Sequence, residues 1–358
     1  MRDSKLRRSV GLVALAALVM VSCAKLGSTG SNPQPADIYA AGPNVSDVRG
    51  LFGGDANWWQ GPPSFQVRPL DAATVSFTER FSVTQTFIHL GTAEQMVVRY
   101  TVYDKTSSAT TQMTNLQNAF GLSPTTPKVG DQVLYYGLGG SGAAPYITRT
   151  FVRVSQIVVQ VIWSRKDGVP KVAQLGKNAT KFVDGLKKVL AGKVSASPQA
   201  VNQKYLPTPG LDITYLGSAQ LPIEAWLVMD GLALPEAALG VLHGEGTSNF
   251  VFGDYVLNND THMEVRTALL PFPSATAATD WASTFAPGMP DQAGVASAYI
   301  PVGGSPAAGE YHYFFTAGAY GGMLICKPSL DGEAASRECE APMERTAIAW
   351  KLTLGGLS

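Results

Sequence analysis

Gly137, Gly139 and Gly142, in the stretch YYGLGGSGAAP, stand at the GxGxxG spacing of a loop that cradles a dinucleotide pyrophosphate. Such a loop works by bringing a helix N-terminus up to the phosphates, so a helix has to follow it. Here Pro145 follows, and then Thr148, Thr150, Phe151, Val152 and Val154, which are strand residues. A later segment, PVGGSPAA, places Pro301, Gly303 and Pro306 at the aligned positions and keeps the Gly-Gly-Ser turn while losing two of the glycines. The pattern therefore reads as a turn between strands, and no cofactor is expected. Ser141 falls one residue short of a GxSxG nucleophile elbow, and neither it nor Ser305 precedes a helix. The histidines, His89, His243, His262 and His312, show no metal or triad spacing, although a triad assembles in space and spacing alone leaves it open. His243 with Glu245 in HGEG is the pair best placed for acid–base exchange, His312 in YHYFF reads as a sheet residue, and Glu338 and Glu340 read as solvated charges in a loop. No catalytic residue and no metal ligand is assigned.

Two features point to binding. Adjacent Trp58 and Trp59 can stack on a sugar or anchor an interface, the alternative being that one packs under the body while the other covers its edge. Arg149, Arg153 and Arg165 cluster in one hairpin and lack counterparts later in the chain, so they mark either an anion-binding face or a solvated one. Trp58, Trp59, Arg149 and Arg153 form the candidate binding surface. Cys326 and Cys339 are expected to form a disulfide.

At the N-terminus, Arg2, Lys5, Arg7 and Arg8 precede an apolar run from Val10 to Val21, then Ser22 and Cys23. This is the layout of an export signal, residues 1–22. The Met20-Val21-Ser22-Cys23 end resembles the lipobox of bacterial lipoproteins, which implies that Cys23 becomes the lipid-modified first residue of the mature chain. By the same resemblance, Ala24 after the cysteine favours the outer membrane in a two-membrane host, and the outer leaflet of the cell membrane otherwise. Without the signal, 23 basic and 26 acidic residues leave a net charge of −3, which argues against a nucleic-acid partner. Residues 23–50, rich in Gly, Ser, Pro and Asn, read as the lipidated cysteine and a flexible stalk, and 51–63 as a lead-in.

The body is a repeat. MVVR at Met96–Arg99 returns as MEVR at Met263–Arg266, and GGSGAA at Gly139–Ala144 as GGSPAA at Gly303–Ala308, offsets of 167 and 164 residues. LDAA at Leu70–Ala73 against LPEAA at Leu234–Ala238 adds a fainter match. Each copy reads as strand, helix, strand, β-hairpin, helix. In the first copy Met96, Val98, Tyr100 and Val102 alternate with Val97, Arg99, Thr101 and Tyr103. The first helices carry Ala109, Met113, Leu116 and Phe120 behind a Ser107 cap, and Ala275, Ala278, Ala282 and Phe285 behind Ser274. Strands follow at Gln132–Tyr136 and Val295–Ile300, and hairpins turn at Ser155-Gln156 and near Gly318–Gly321. The closing helices turn Leu175, Ala179, Phe182, Leu186 and Val189 inward, and, from Pro342, Ala347, Trp350 and Leu354. The expected fold is α+β: two tandem copies of an antiparallel sheet with helices mostly on one face, copy 1 at 64–195, a linker at 196–209 and copy 2 at 210–358. This layout resembles the α+β sensor-like domains of some bacterial envelope lipoproteins and receptor-kinase ectodomains.

The reading in function is a lipid-anchored envelope protein acting as a non-catalytic module for a protein partner or envelope component. The alternatives are a carrier or sensor for an apolar ligand such as a lipid and, last, a hydrolase.

Overall fold

The computed structural model describes residues 32–67, 78–92, 94–122, 128–138, 145–165, 167–193, 203–228, 236–258, 263–285, 294–302, 305–326 and 333–356. The signal peptide, Cys23, the Leu70–Ala73 match, the first Gly-Gly-Ser turn and Gly303-Gly304 of the second lie outside them.

Two antiparallel sheets carry the α+β body. The first is built from β1 (Trp58–Gln60), β2 (Ser64–Val67), β3 (Glu79–His89), β4 (Gln95–Tyr103), β5 (Gln132–Leu138), β6 (Tyr146–Val154) and β7 (Ile157–Arg165), in the order β1-β3-β4-β7-β6-β5, with β2 also on β3. The second contains β8 (Ile213–Pro222), β9 (Asn249–Leu257), β10 (Glu264–Pro271), β11 (Val295–Val302), β12 (Ser305–Ala317) and β13 (Tyr320–Cys326), in the order β11-β12-β13-β10-β9-β8. Read from the opposite edge, the second order reproduces the first: β9, β10, β13, β12 and β11 stand where β3, β4, β7, β6 and β5 stand. Helices α3 (Thr106–Phe120) and α6 (Ala275–Phe285) are inserted at the same point, α4 (Val172–Leu190) and α7 (Glu333–Gly355) close each copy, and α5 (Glu236–Gly244) lies between β8 and β9. The two hairpin turns fall at Ser155-Gln156, with Ser155 left-handed at φ 54°, and at Gly318-Ala319.

The helices do not share one face, as the sequence suggested; each sheet has one on either side. Val98, Tyr100 and Val102 of β4 and Val159 and Val161 of β7 pack with Phe182 and Leu186 of α4, while Tyr103, Leu134, Phe151 and Val158 pack with Ala109 and Met113 of α3 on the opposite face. In the second copy Val265, Leu269 and Leu324 meet Met343, Ala347 and Trp350 of α7, and Ala268, Phe314 and Met323 share a core with Trp281 of α6. Central strands are consequently apolar on both faces. β9 is buried from Phe250 to Leu257, which erases the alternation that marks a half-exposed strand.

Three helix details differ from the sequence reading. Lys105 holds the N-cap position of α3, so Ser107 lies inside the helix. The buried face of α6 is Ala277, Ala278 and Trp281, with Ala275 exposed, and Ser274 does cap it through the Ala277 N–H. α7 begins at Glu333 and contains Pro342 in its interior; Glu338 and Glu340 are helical, not in a loop. The Cys326–Cys339 disulfide and the buried stripe of Cys339, Met343, Ala347, Trp350 and Leu354 hold the turn before the proline, overriding its poor helix propensity.

The stalk reading also needs correction. Residues 35–51 form α1 (Pro35–Ala41) and α2 (Val45–Leu51), each opened by a capping box, Gln34/Asp37 and Asn44/Asp47. Ile38, Tyr39 and Val48 are buried in the core, and α1 runs so close to α4 that a Cβ on Gly185 would meet the Ala41 carbonyl oxygen. The lead-in likewise contributes β1. Part of the linker, Leu206 and Pro207, is buried beside α7.

The sheets remain separate, but the copies share one core: Tyr39, Phe65, Leu216, Phe252 and Ala268 belong to a single buried cluster. β2 lies at an edge of the first sheet and docks on a face of the second. Gly217, beside a register shift in β8, permits this, since a Cβ there would lie 2.2 Å from the Phe65 ring. Among the described residues no helix is long and apolar enough to cross a membrane.

Candidate functional site

The residues singled out in the sequence are mostly engaged within the fold. Trp58 is 1% exposed, stacked on Phe52 at 4.7 Å and edge-on to His89 at 5.5 Å, so it is a core residue and not part of a binding surface. Trp59 is half-buried with the Arg49 guanidinium 5.0 Å from its ring centre. Arg153 pairs with Asp131 at 3.1 Å, Arg165 with Glu94 and Asp167 while lying over Trp163, and Arg149 lies over Phe120. These arginines are thus spread over separate partners and do not converge as an anion site.

The histidines are similarly placed. Buried His89 holds Asp55 through Nε2 at 2.8 Å and accepts the Thr92 N–H at Nδ1, which locks the β3–β4 turn. The Asn57 N–H and His89 hold the Asp55 carboxyl below its usual range. His312 is buried against Glu310 at 2.9 Å. His243 faces Glu224 at 3.4 Å, not Glu245 as the HGEG motif suggested. Ser141 and His262 lie outside the described residues, and within them no group of three His, Cys, Asp or Glu side chains is arranged to hold a metal.

Two arrangements were not visible in the sequence. One is a groove of about 280 Å³ between α7 and the strap at 207–213, lined by Leu211, Asp212, Arg345, Ala349, Trp350 and Thr353 among others. Side chains pin the strap and its approach: the Tyr255 hydroxyl donates to the Pro207 carbonyl at 2.9 Å, the Trp350 indole to the Tyr205 carbonyl just ahead of it at 3.1 Å, and Arg345 to both Asp212 oxygens at 2.7 and 3.1 Å. Leu211 stands at the lip, 96% exposed. Leu352, 72% exposed, continues the helical stripe of Arg345 and Ala349. An apolar rim around a bidentate ion pair suits a peptide-like surface, since it offers both burial and hydrogen-bonding groups.

The other arrangement is a buried polar cluster where the copies meet. Asp254 of β9, fully buried, accepts the Phe65 N–H of β2 at 2.8 Å; Glu264 of β10 accepts the Ser64 hydroxyl at 3.1 Å and the Arg266 guanidinium at 3.0 Å. Burial pushes the Asp254 carboxyl well above its usual range, and the Glu264 carboxylate adds to the effect against Arg266. The available signal was a lone carboxylate inside the apolar run VFGDYVL.

No protein-family model matches the chain. No curated protein matches it either. Among solved structures, the extracellular domain of PknH from Mycobacterium tuberculosis aligns with 44% of this chain and 99% of its own at 15% identity, with a TM-score of 0.34. DynU16, a putative protein in the dynemicin biosynthetic locus, aligns with 85% of this chain and 98% of its own at 13% identity, with a TM-score of 0.13. At these scores neither likeness bears on fold or function.

Proposed function

We propose that the protein is an exported component of a bacterial envelope, lipid-anchored through Cys23, whose two-copy body is a non-catalytic binding module for a protein partner. The observation that carries the binding role is the groove beside α7, with Leu211 held out to solvent at its lip next to the Asp212–Arg345 pair and Leu352 exposed further along the same helix. An exposed leucine at the lip of a concavity, with a second one beyond it on the braced helix, suits a protein contact better than isolated surface leucines would. The Cys326–Cys339 disulfide is in keeping with an oxidising compartment. A carrier role is less well supported, because Tyr39, Phe65, Leu216 and Phe252 fill the junction between the copies where an apolar ligand would sit.

A photo-reactive amino acid at position 211 of the full-length chain, expressed in its native envelope, tests the reading. A discrete protein adduct is expected, and Leu352→Asp should abolish it while changing stability by less than about 0.5 kcal/mol. No adduct, or one indifferent to Leu352→Asp, would overturn the binding role. Cys23→Ser should release the protein from membranes; unchanged retention would overturn the anchor.

A further inference from the structure

We infer that Asp254 is a proton-operated latch between the two copies: protonated, it holds β2 against the second sheet, and ionised, it lets that strand lift. The argument begins with charge. Asp254 is fully buried, and its cross-strand neighbour Arg266 is already engaged by Glu264, with both side chains largely buried. Two carboxyls thus share one guanidinium. The cluster is neutral when one carboxyl carries a proton and holds an uncompensated negative charge when neither does, a state that is costly away from water.

The groups around Asp254 locate the proton. From β10 come Glu264 and Arg266, and from β2 the Phe65 N–H and the Ser64 hydroxyl, which reaches Glu264. On β9 the next residue, Tyr255, donates its backbone N–H to the Asp254 carboxyl at 3.1 Å, and its phenol, raised by burial, stays neutral. β8 presents Gly217 opposite Asp254. Tyr39 of α1, also raised by burial, interacts with Tyr215 of β8. His312 and Glu310 of β12 lie across the same sheet face, with Ile325 between His312 and Arg266, and pair with each other. Glu264 has the ion pair and the hydroxyl; the Phe65 and Tyr255 N–H groups favour an ionised Asp254, but burial and the like-charged Glu264 outweigh them, so the proton of the pair is placed on Asp254.

The sign follows from linkage. Asp254 binds its proton more tightly in the closed state than when solvated, so opening releases a proton and becomes easier as pH rises. The closed state has its full advantage near and below the ordinary carboxylate range. That advantage declines by up to about tenfold per pH unit above it, and levels off once Asp254 is ionised in both states. The reading is independent of the groove and its partner.

Hydrogen exchange of the full chain between pH 4 and 8, corrected for the intrinsic rate, tests it at the amides of β2, with the core of α4 as internal reference. Protection of β2 is expected to fall with pH while α4 stays protected. Asp254→Asn, which keeps an acceptor for Phe65, should make β2 protection flat, and Glu264→Gln should end the decline at lower pH with a smaller total loss. A flat wild-type profile, an Asn variant or Gln variant that tracks the wild type, or a parallel loss in α4 would each overturn the latch; the Gln variant decides the matter if the Asn variant fails to fold.

Discussion

The docking of β2 on the second sheet rests on one close approach, and a double-mutant cycle can measure it. Gly217→Ala would put a methyl carbon 2.2 Å from Phe65 Cζ and 2.6 and 2.7 Å from the two Cε atoms. Phe65 is 1% exposed and lies edge-on to Tyr39 at 5.8 Å, so its ring has no solvent to swing into. Overpacking of this kind costs about 1–3 kcal/mol. Phe65→Leu removes ring atoms and leaves a void at the same spot, for roughly 1–2 kcal/mol by analogy with other large-to-small core changes. In the double variant the new methyl enters the vacated space, so the combined loss should undershoot the sum by about 1–2 kcal/mol, inside the range found for contacting residues. Urea unfolding of wild type, both single variants and the double variant gives the four stabilities, and the shared core predicts one cooperative transition for each. Additivity within about 0.5 kcal/mol, or a neutral Gly217→Ala, would show that β2 does not pack on β8 as described.

Two further outcomes separate buried from surface roles. Trp58→Ala should cost about 3–5 kcal/mol in thermal or urea unfolding because its ring lies in the core, whereas Trp59→Ala should cost distinctly less; equal effects would contradict the burial of Trp58. Cys326→Ser should lower stability by about 3 kcal/mol and raise exchange at the start of α7 more than in α4, and equal melting of the two proteins under oxidising conditions would refute a stabilising cross-link.

What the sequence disclosed follows from where periodicity survives folding. The repeat was legible because Met96–Arg99 and Met263–Arg266 fall at the same place in the two sheets, β4 with the residue pattern intact and β10 with Met263 just ahead of it. Closing helices were legible because α4 buries Leu175, Ala179, Phe182, Leu186 and Val189 on one stripe. β3 and β9 were missed, and in β9 the reason is physical: burial on both faces leaves no alternation to read. α1 and α2 were hidden by composition, although Asn44 with Asp47 is a capping signal that outweighs the surrounding Gly, Ser and Pro. The groove was beyond reach, since Asp212 and Arg345 meet across 133 residues of chain.

The two copies solve one structural problem differently, and the difference explains the polar junction. Arg99 in β4 and Arg266 in β10 occupy equivalent positions, but Thr84 stands opposite the first and Asp254 opposite the second. Arg99 is only partly buried and meets Glu79 and Ser82 within its own sheet, so its strand pair asks nothing of the other copy. Arg266 lies beneath β2, whose outward N–H at Phe65 has no neighbouring strand to receive it. An unpaired edge amide is a liability, either buried without a partner or free to pair with another chain. Asp254 removes that liability by accepting the amide with a side chain, and the means of doing so places a second carboxyl beside Glu264 with one arginine between them. A neutral acceptor would have closed the edge without coupling it to protons; the carboxyl ties the junction between the copies to pH.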